Sequence, residues 1–245
     1  MKYHYVWLIW SSAFLLPWIA IYLTFPHLRT VMWRASLATA LFGLTEPLFV
    51  PEYWNPPSLF ELAQRTGFDI ESLIFSFAIG GVGAISYNAL TRTRLVPVAP
   101  EQRREPLHRF HRMALLVPVV AFVPLALLPW NSIYASVVAL ALGSGASLIC
   151  RPRLTRKTLI GGALFLGFYA VFMWGLKWSA PGYIEQVWNL PALSGLLIDG
   201  IPIEELLFGA SFGLYWSGVY EHTTWTESVA RSGTGPASSA TPQTF

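Results

Sequence analysis

The sequence predicts an all-α integral membrane protein: a seven-helix bundle built from two parallel three-helix repeats plus a linker helix. Three observations lead there. The 245 residues are 54% hydrophobic and only 12% charged, with a mean hydropathy of +0.48, whereas soluble domains carry roughly 25% charged residues. The apolar runs are continuous instead of alternating with period two, the pattern of spanning helices and not of barrels. The second half of the chain also echoes the first.

A span needs about 20 mostly apolar residues. Seven segments qualify as expected spans: 3–25, 33–50, 69–90, 113–129, 132–150, 158–177 and 201–220. The first could pass for a signal peptide. One lysine, Lys2, and an apolar part crowded with Trp and Pro argue for an uncleaved helix instead. The run Gly80-Gly81-Val82-Gly83 lies inside the third span and reads as a surface for close helix packing.

Charge sets the expected orientation. Every Lys and Arg except Lys2, Arg65 and Lys177 falls on the side opposite the N-terminus, in the loops 92–112 and 151–157 above all. The positive-inside rule makes that side cytoplasmic. The N-terminus is then outside and the C-terminus inside, as seven spans require, in a multi-pass protein of the cell (inner) membrane. The same clusters account for the pI of about 9.1 without nucleic-acid binding. The partners expected are the lipid bilayer and a hydrophobic substrate; oligomeric state is not specified.

The halves align in order. Glu71 falls on Glu204, Leu73 on Leu206, Phe75 on Phe208, Gly80 on Gly213 and Tyr87 on Tyr220. Glu52 corresponds to Glu185 in the same register, and one register step away Trp54-Asn55-Pro56-Pro57 matches Trp188-Asn189-Leu190-Pro191. The expected organisation is a first repeat over 1–92, a basic loop and linker helix over 93–130, a second repeat over 131–222, and a disordered cytoplasmic tail over 223–245, where Ser, Thr, Gly, Ala and Pro dominate. An odd linker helix keeps both repeats the same way up, so the two acidic motifs share one end of the bundle.

Those motifs are the chemical signal. Gly200-Ile201-Pro202-Ile203-Glu204-Glu205-Leu206-Leu207-Phe208 sets two adjacent carboxylates at the start of a span, and Phe68-Asp69-Ile70-Glu71 is its weaker copy. An ionisable group within a membrane costs about 3 kcal/mol or more. Carboxylates at a helix N-terminus are commonly caps favoured by the macrodipole, and Asp199 reads as a cap of the last helix. Recurrence, the doubled Glu and the neighbouring Trp and Asn argue for more than capping at Glu204 and Glu205. Two close carboxyl groups in a poorly solvated place cannot easily both ionise, which leaves a neutral acid beside a charged base. Adjacent helical residues project about 100° apart, so one of the pair faces a cavity; Glu204, aligned with Glu71, is the first choice.

Other chemistries lack their patterns. There is no GxGxxG, no GxxxxGK[ST] and no HExxH. The histidines show no paired-ligand spacing. Cys150 is the single cysteine, so no internal disulfide or Cys-cluster metal site is expected. No cofactor and no metal is implied.

At its acidic motifs the chain resembles the heterodimeric-type lycopene cyclases, small integral-membrane, non-flavin enzymes found as paired subunits or fused tandem domains. The family pattern is Pro-x-Glu-Glu followed by Leu-Phe and preceded by a Trp-containing loop. The second repeat carries it as Trp188-Asn189-Leu190-Pro191 and Pro202-Ile203-Glu204-Glu205-Leu206-Leu207-Phe208. The first repeat departs, with Asp69 in place of proline and Ser72 in place of the second Glu; Glu46 is the candidate for the family's acidic position near the end of the second span. The resemblance covers most of residues 1–222. It implies an intramolecular lyase or isomerase that cyclises the linear ψ-ends of a lycopene-like carotenoid to ionone rings by acid catalysis without redox change. Glu204, Glu205 and Glu71 are then the expected catalytic residues. Trp188, Asn189, Trp54, Asn55, Pro202, Phe208, Tyr215 and Glu46 are the expected substrate-binding residues. Trp174, Trp178, Tyr183 and Trp216 are further candidates for electron-rich walls around a carbocation.

Alternatives from other classes remain at this level. One is a diverged membrane protein acting on or binding another polyprenoid, which would need the aromatics but not the Glu pair. Another is a small-solute transporter, which would place polar groups at mid-membrane on several helices; spans 1, 4, 5 and 6 carry almost none. A retinal-type receptor needs a lysine within a span, and Lys177 lies at an end.

Overall fold

The computed structural model describes residues 3–230 and is mostly helical. All seven segments expected to span are helical, and five helical stretches are long and apolar enough to cross a membrane: Val6–Thr24, Ile70–Thr91, Pro106–Ala126, Ser132–Cys150 and Pro152–Ser179. The other two have their hydropathy diluted, one by Arg34 and Glu46 and the other by Glu204 and Glu205. Lys2 and Arg231, used in the charge argument, lie outside the described residues.

Proline divides the first stretch. Helix α1 (Val6–Ala13) gives way at Phe14 to α2 (Leu15–Thr24), because the ring of Pro17 cannot coexist with a straight helical carbonyl at Ala13. Helix α3 (Arg29–Ala40) tightens into a 3-10 run, Leu41–Leu48, that contains Pro47 and Glu46. The short α4 (Leu62–Thr66) leads to α5 (Ile70–Thr91). Asp69 is the N-cap of α5, its Oδ1 accepting from Ser72 N at 2.5 Å.

After α5 come strand β1 (Thr93–Pro97), the turn helix α6 (Pro100–Arg103) and α7 (His111–Ala126). Helix α7 buries little beyond His111, Ala114 and Pro118. Helix α8 (Ser132–Cys150) begins on Asn131, whose side chain accepts from Ile133 N at 3.1 Å. Helix α9 (Thr155–Ser179), the short α10 (Tyr183–Val187), a hairpin of β2 (Leu197–Ile198) and β3 (Ile201–Pro202), α11 (Ile203–Thr224) and β4 (Thr226–Ala230) complete the described chain.

Two helix pairs pack most extensively, α3 on α5 and α9 on α11. Small residues permit both. A Cβ on Gly80 would drive into the side chain of Thr39 on α3, and one on Gly213 would sit 2.7 Å from Phe165 Cβ on α9. The close-packing role expected of the Gly80 run is thus visible in the geometry. Between the pairs lies a core with Phe14, Met32, Ile85 and Phe165 fully buried.

Two expectations need correction. Residues 223–230 are not a disordered tail: α11 runs to Thr224, and β4 pairs antiparallel with β1 from Thr93 opposite Ala230 to Pro97 opposite Thr226. The partner strand supplies the ladder that the tail's own composition could not reveal. Residues 231–245 lie outside the described residues. Asp199 does not cap α11, whose N-cap is Pro202. Asp199 and Gly200 form the two-residue turn between β2 and β3, at φ of 48° and 76°; such a hairpin takes positive φ at both positions, which Asp-Gly tolerates. The Asp199 carboxylate pairs with Lys177 Nζ at 2.7 Å.

Candidate active site

Helix α11 starts without a side-chain cap, so its acidic first turn is free to reach elsewhere. Glu204 and Glu205 are both buried and, being adjacent on a helix, diverge. Glu204 Oε1 accepts from the hydroxyl of Tyr134 on α8 at 2.7 Å and from Ser194 N at 2.9 Å. Its Oε2 is buried with no partner among the described residues. Glu205 turns the other way. Its Oε1 accepts from the Tyr53 hydroxyl and from Trp188 Nε1 at 2.7 Å, and its Oε2 accepts from the Tyr169 hydroxyl at 2.5 Å. Three donors from three separate parts of the chain converge on one carboxyl group.

Around Tyr169, which donates to that carboxyl group, the packing is aromatic. The Tyr169 ring has centroids of Phe14, Phe75, Phe165 and Phe208 within 6.3 Å. Ring faces present negative charge density to a cation. Tyr53 lies in a loop and is buried, with its hydroxyl on Glu205. Burial, and then the Glu205 charge, push its phenol well above the usual tyrosine value, so it remains a donor. Tyr183, which opens α10, is raised by burial first and then by the charges of Asp69 and Glu71.

The Trp-Asn loops of the two halves meet. Trp54 and Trp188 form an isolated antiparallel bridge, with Asn55 N donating to Val187 O at 2.8 Å and Asn189 N to Tyr53 O at 2.9 Å. Their rings lie 5.3 Å apart. Trp54 Nε1 donates to Glu46 Oε1 at 2.6 Å, so a second buried carboxyl group sits beside the junction. Asn189 Nδ2 holds the carbonyl of Glu52 at 3.0 Å, and Asn131 Nδ2 holds the same carbonyl at 2.9 Å.

The expected site residues therefore divide. Glu205, Trp188, Trp54 and Glu46 come together around the junction, and the Phe208 ring stands 5.9 Å from that of Tyr169. Pro202 is buried at the start of α11. Glu71 is buried apart from this cluster's hydrogen bonds: its Oε1 accepts from Leu59 N at 2.8 Å. That bond mirrors the one from Ser194 N to Glu204, so the aligned pair Glu71 and Glu204 both pin the backbone of the preceding loop. Asn55 and Asn189 have exposed side chains; a cavity of about 280 Å³ opens beside Asn55, Val50 and Gln64. Tyr215 points to α7, donating to Leu115 O at 2.7 Å, and Trp216 donates to Gly80 O at 3.0 Å. Trp178 is 71% exposed.

Sequence reasoning missed Tyr53, Tyr134 and Tyr169. Tyr169 did leave a trace, as a hydroxyl in the middle of an otherwise apolar run. Tyr53 adjoins the Trp-Asn pair. Tyr134 left none, since tyrosine near a span end is ordinary.

Residues 131–223 match the family model described as lycopene cyclase, and Tyr134, Tyr169, Trp188, Glu204 and Glu205 lie within the matched stretch. No curated protein and no solved structure matches the chain.

Proposed function

We propose, taking the lycopene cyclase family of residues 131–223 as the premise, that this protein cyclises the linear ends of a lycopene-like carotenoid by acid–base catalysis at Glu205, with Glu204 as its partner. The observation that carries the reading is the convergence of Tyr53, Tyr169 and Trp188 on the Glu205 carboxyl group beside a cluster of aromatic rings. Such a reaction is an isomerisation. A proton adds to the terminal alkene carbon, leaving a tertiary cation. A neighbouring double bond attacks it and closes a six-membered ring. A proton leaves the ring, and electrons and atoms balance with no oxidant. The Glu205 carboxyl group starts protonated, gives the first proton, and as a carboxylate held by its three donors takes back the second, which restores the starting state. General acid–base assistance of this kind contributes about 10²–10⁴-fold. The phenols and indole around Glu205 hold the oxygens in place while charge moves, and the rings of Tyr169, Phe208 and Phe165 offer the cation their faces.

Glu204 supplies the one carboxyl oxygen of the pair that has no donor, one helical residue away. Glu46 and Trp54 stand across the Trp54–Trp188 bridge, and the first half of the chain is read as shaping the site, with Tyr53 as its direct contribution.

The seven-helix, two-repeat architecture belongs to the same proposal. It is supported by the two like pairs, α3 with α5 and α9 with α11, and by the like loop contacts of Glu71 and Glu204. The orientation with the acidic site outside and the basic loops cytoplasmic rests on the charge map.

The test is expression in a lycopene-accumulating bacterial host, with pigments separated by chromatography. The native chain is expected to yield cyclised carotenoid, and Glu205→Gln to lower it by about 10²-fold or more at equal membrane abundance. Ring formation undiminished in Glu205→Gln overturns the assignment of the acid–base centre. No ring from the native chain overturns the substrate and favours binding of, or action on, another polyprenoid.

A further inference from the structure

At the opposite end of the molecule from the Glu pair, residues remote in sequence assemble a second polar cluster. His108 sits in the turn before α7, His111 opens α7, and Cys150 closes α8. His108 Nδ1 and His111 Nδ1 each lie 3.5 Å from Cys150 Sγ. The three ligand atoms are all within 4.8 Å of one another. We propose that His108, His111 and Cys150 form a binding site for a zinc-class divalent ion that ties the ends of α7 and α8 together.

The geometry suits the ion. With zinc–sulfur bonds of about 2.3 Å and zinc–nitrogen bonds of about 2.0–2.1 Å, a tetrahedral site puts nitrogen and sulfur about 3.5 Å apart. Both observed nitrogen–sulfur separations have that value. Only the two imidazoles must draw closer, and His108, on a partly exposed turn, is the side chain placed to move.

The outer contacts fit a ligand as well. His111 Nε2 lies 2.7 Å from the carbonyl oxygen of His222. A carbonyl can only accept, so Nε2 carries the hydrogen and Nδ1 offers its lone pair toward Cys150. A metal-bound histidine typically has its other nitrogen committed in this way. The His111 ring is stacked between His222 at 3.9 Å and Trp225 at 3.7 Å, both nearly parallel, and cannot easily turn away. Imidazole with thiolate selects zinc over magnesium or calcium, which prefer oxygen.

Two histidines and one cysteine leave a fourth position. A cavity of about 40 Å³ adjoins His108 and Cys150 and is also lined by Gln102, Glu105 and Glu227 together with Arg151 and Arg153, so a water or a carboxylate has access. Cations border the cluster, with Arg109 and Arg112 next to the two histidines in sequence and Arg151 beside Cys150, its guanidinium donating to the carbonyls of Glu221 at 2.7 Å and Thr226 at 3.1 Å. Spacing along the chain concealed the cluster: Cys150 is 39 residues from His111.

The experiment uses the full chain purified in detergent. Elemental analysis after dialysis is expected to find about one zinc per chain, and Co²⁺ exchange to produce thiolate charge-transfer and tetrahedral d–d absorption bands. Cys150→Ala and, independently, His108→Gln are expected to weaken Co²⁺ binding by tenfold or more (about the loss typical even of outer ligands), with unchanged helicity and elution volume. His108→Gln lies on the turn and keeps the test meaningful if Cys150→Ala does not fold. A folded native chain with no bound zinc and no cobalt band overturns the proposal. Cobalt bands that form at the native Co²⁺ affinity in the folded His108→Gln chain overturn it equally.

Discussion

Trp54 and Trp188 pair across the two halves of the chain, ring centroids 5.3 Å apart, and each indole N–H ends on a buried glutamate: Glu46 for Trp54 and Glu205 for Trp188. The same two residues thus close the backbone bridge and orient two carboxyl groups. Buried polar groups left without partners are costly, so the indoles fix the carboxyls as firmly as the carboxyls fix them.

Replacing Trp188 with Phe keeps the ring and removes the donor to Glu205. The expected result is a loss of ring formation of tenfold or more, since a hydrogen bond to a charged group contributes about 1.5–3 kcal/mol. Trp54→Phe is expected to act on Glu46 and to reduce activity less. Because the rings touch, the double variant should depart from additivity. Pigment yield in the lycopene-accumulating host measures all three.

Tyr169→Phe deletes the 2.5 Å bond to Glu205 Oε2 while keeping the aromatic wall. Product formation is expected to fall by about tenfold to a hundredfold, with the thermal transition in detergent lowered by a few degrees. An unchanged rate would show that the hydroxyl serves packing alone.

Tyr53 gives a pH prediction. Its folded-state pKa is raised above the unfolded value of about 10, first by burial and then by the Glu205 charge. The neutral phenol is the favoured form, so its stabilising contribution is fully present below pH 10 and is lost only as pH rises through the higher folded value. Between pH 7 and 9 the midpoint of thermal unfolding should therefore show no downward slope from this residue. Comparing the native chain with Tyr53→Phe across that range checks the sign.

Lys157 and Glu221 form a buried ion pair, 4% and 0% exposed, completed by Asn88 Oδ1 at 2.7 Å from Lys157 Nζ and by Ser228 Oγ at 3.1 Å from Glu221. This network joins α5, α9, α11 and β4. Lys157→Met alone leaves a buried carboxylate without its cation and is expected to destabilise by about 3–5 kcal/mol. Lys157→Met with Glu221→Gln should recover part of that loss. Thermal unfolding in detergent, read by helicity, distinguishes the two.

Gly80→Ala and Gly213→Ala test the two close helix crossings. Each added methyl meets a neighbour with no room, the side chain of Thr39 or Phe165 Cβ. Overpacking of this kind costs about 1–3 kcal/mol. Equal losses at the two sites would support the repeat, and a loss at only one would argue that the halves have diverged in packing.

Hydropathy and charge by themselves determined the helical class, the helical segments and the acidic motif at the head of α11, because those depend on runs of local side chains and on residue periodicity. The Trp-Asn recurrence also marked the loops that meet. Only the tertiary structure decided which glutamate meets the Tyr and Trp donors beside the aromatic cluster. Alignment favoured Glu204 through Glu71, yet both of these hold loop backbone, and Glu205 collects the three donors. It decided as well that residues 226–230 pair with β1, that Asp199 turns a hairpin, and that His108, His111 and Cys150 converge. The reason is common to all of them. Composition and spacing report what one stretch of chain prefers, whereas donors from Tyr53, Tyr169 and Trp188 meet one carboxyl group only after packing has brought distant segments within 3 Å.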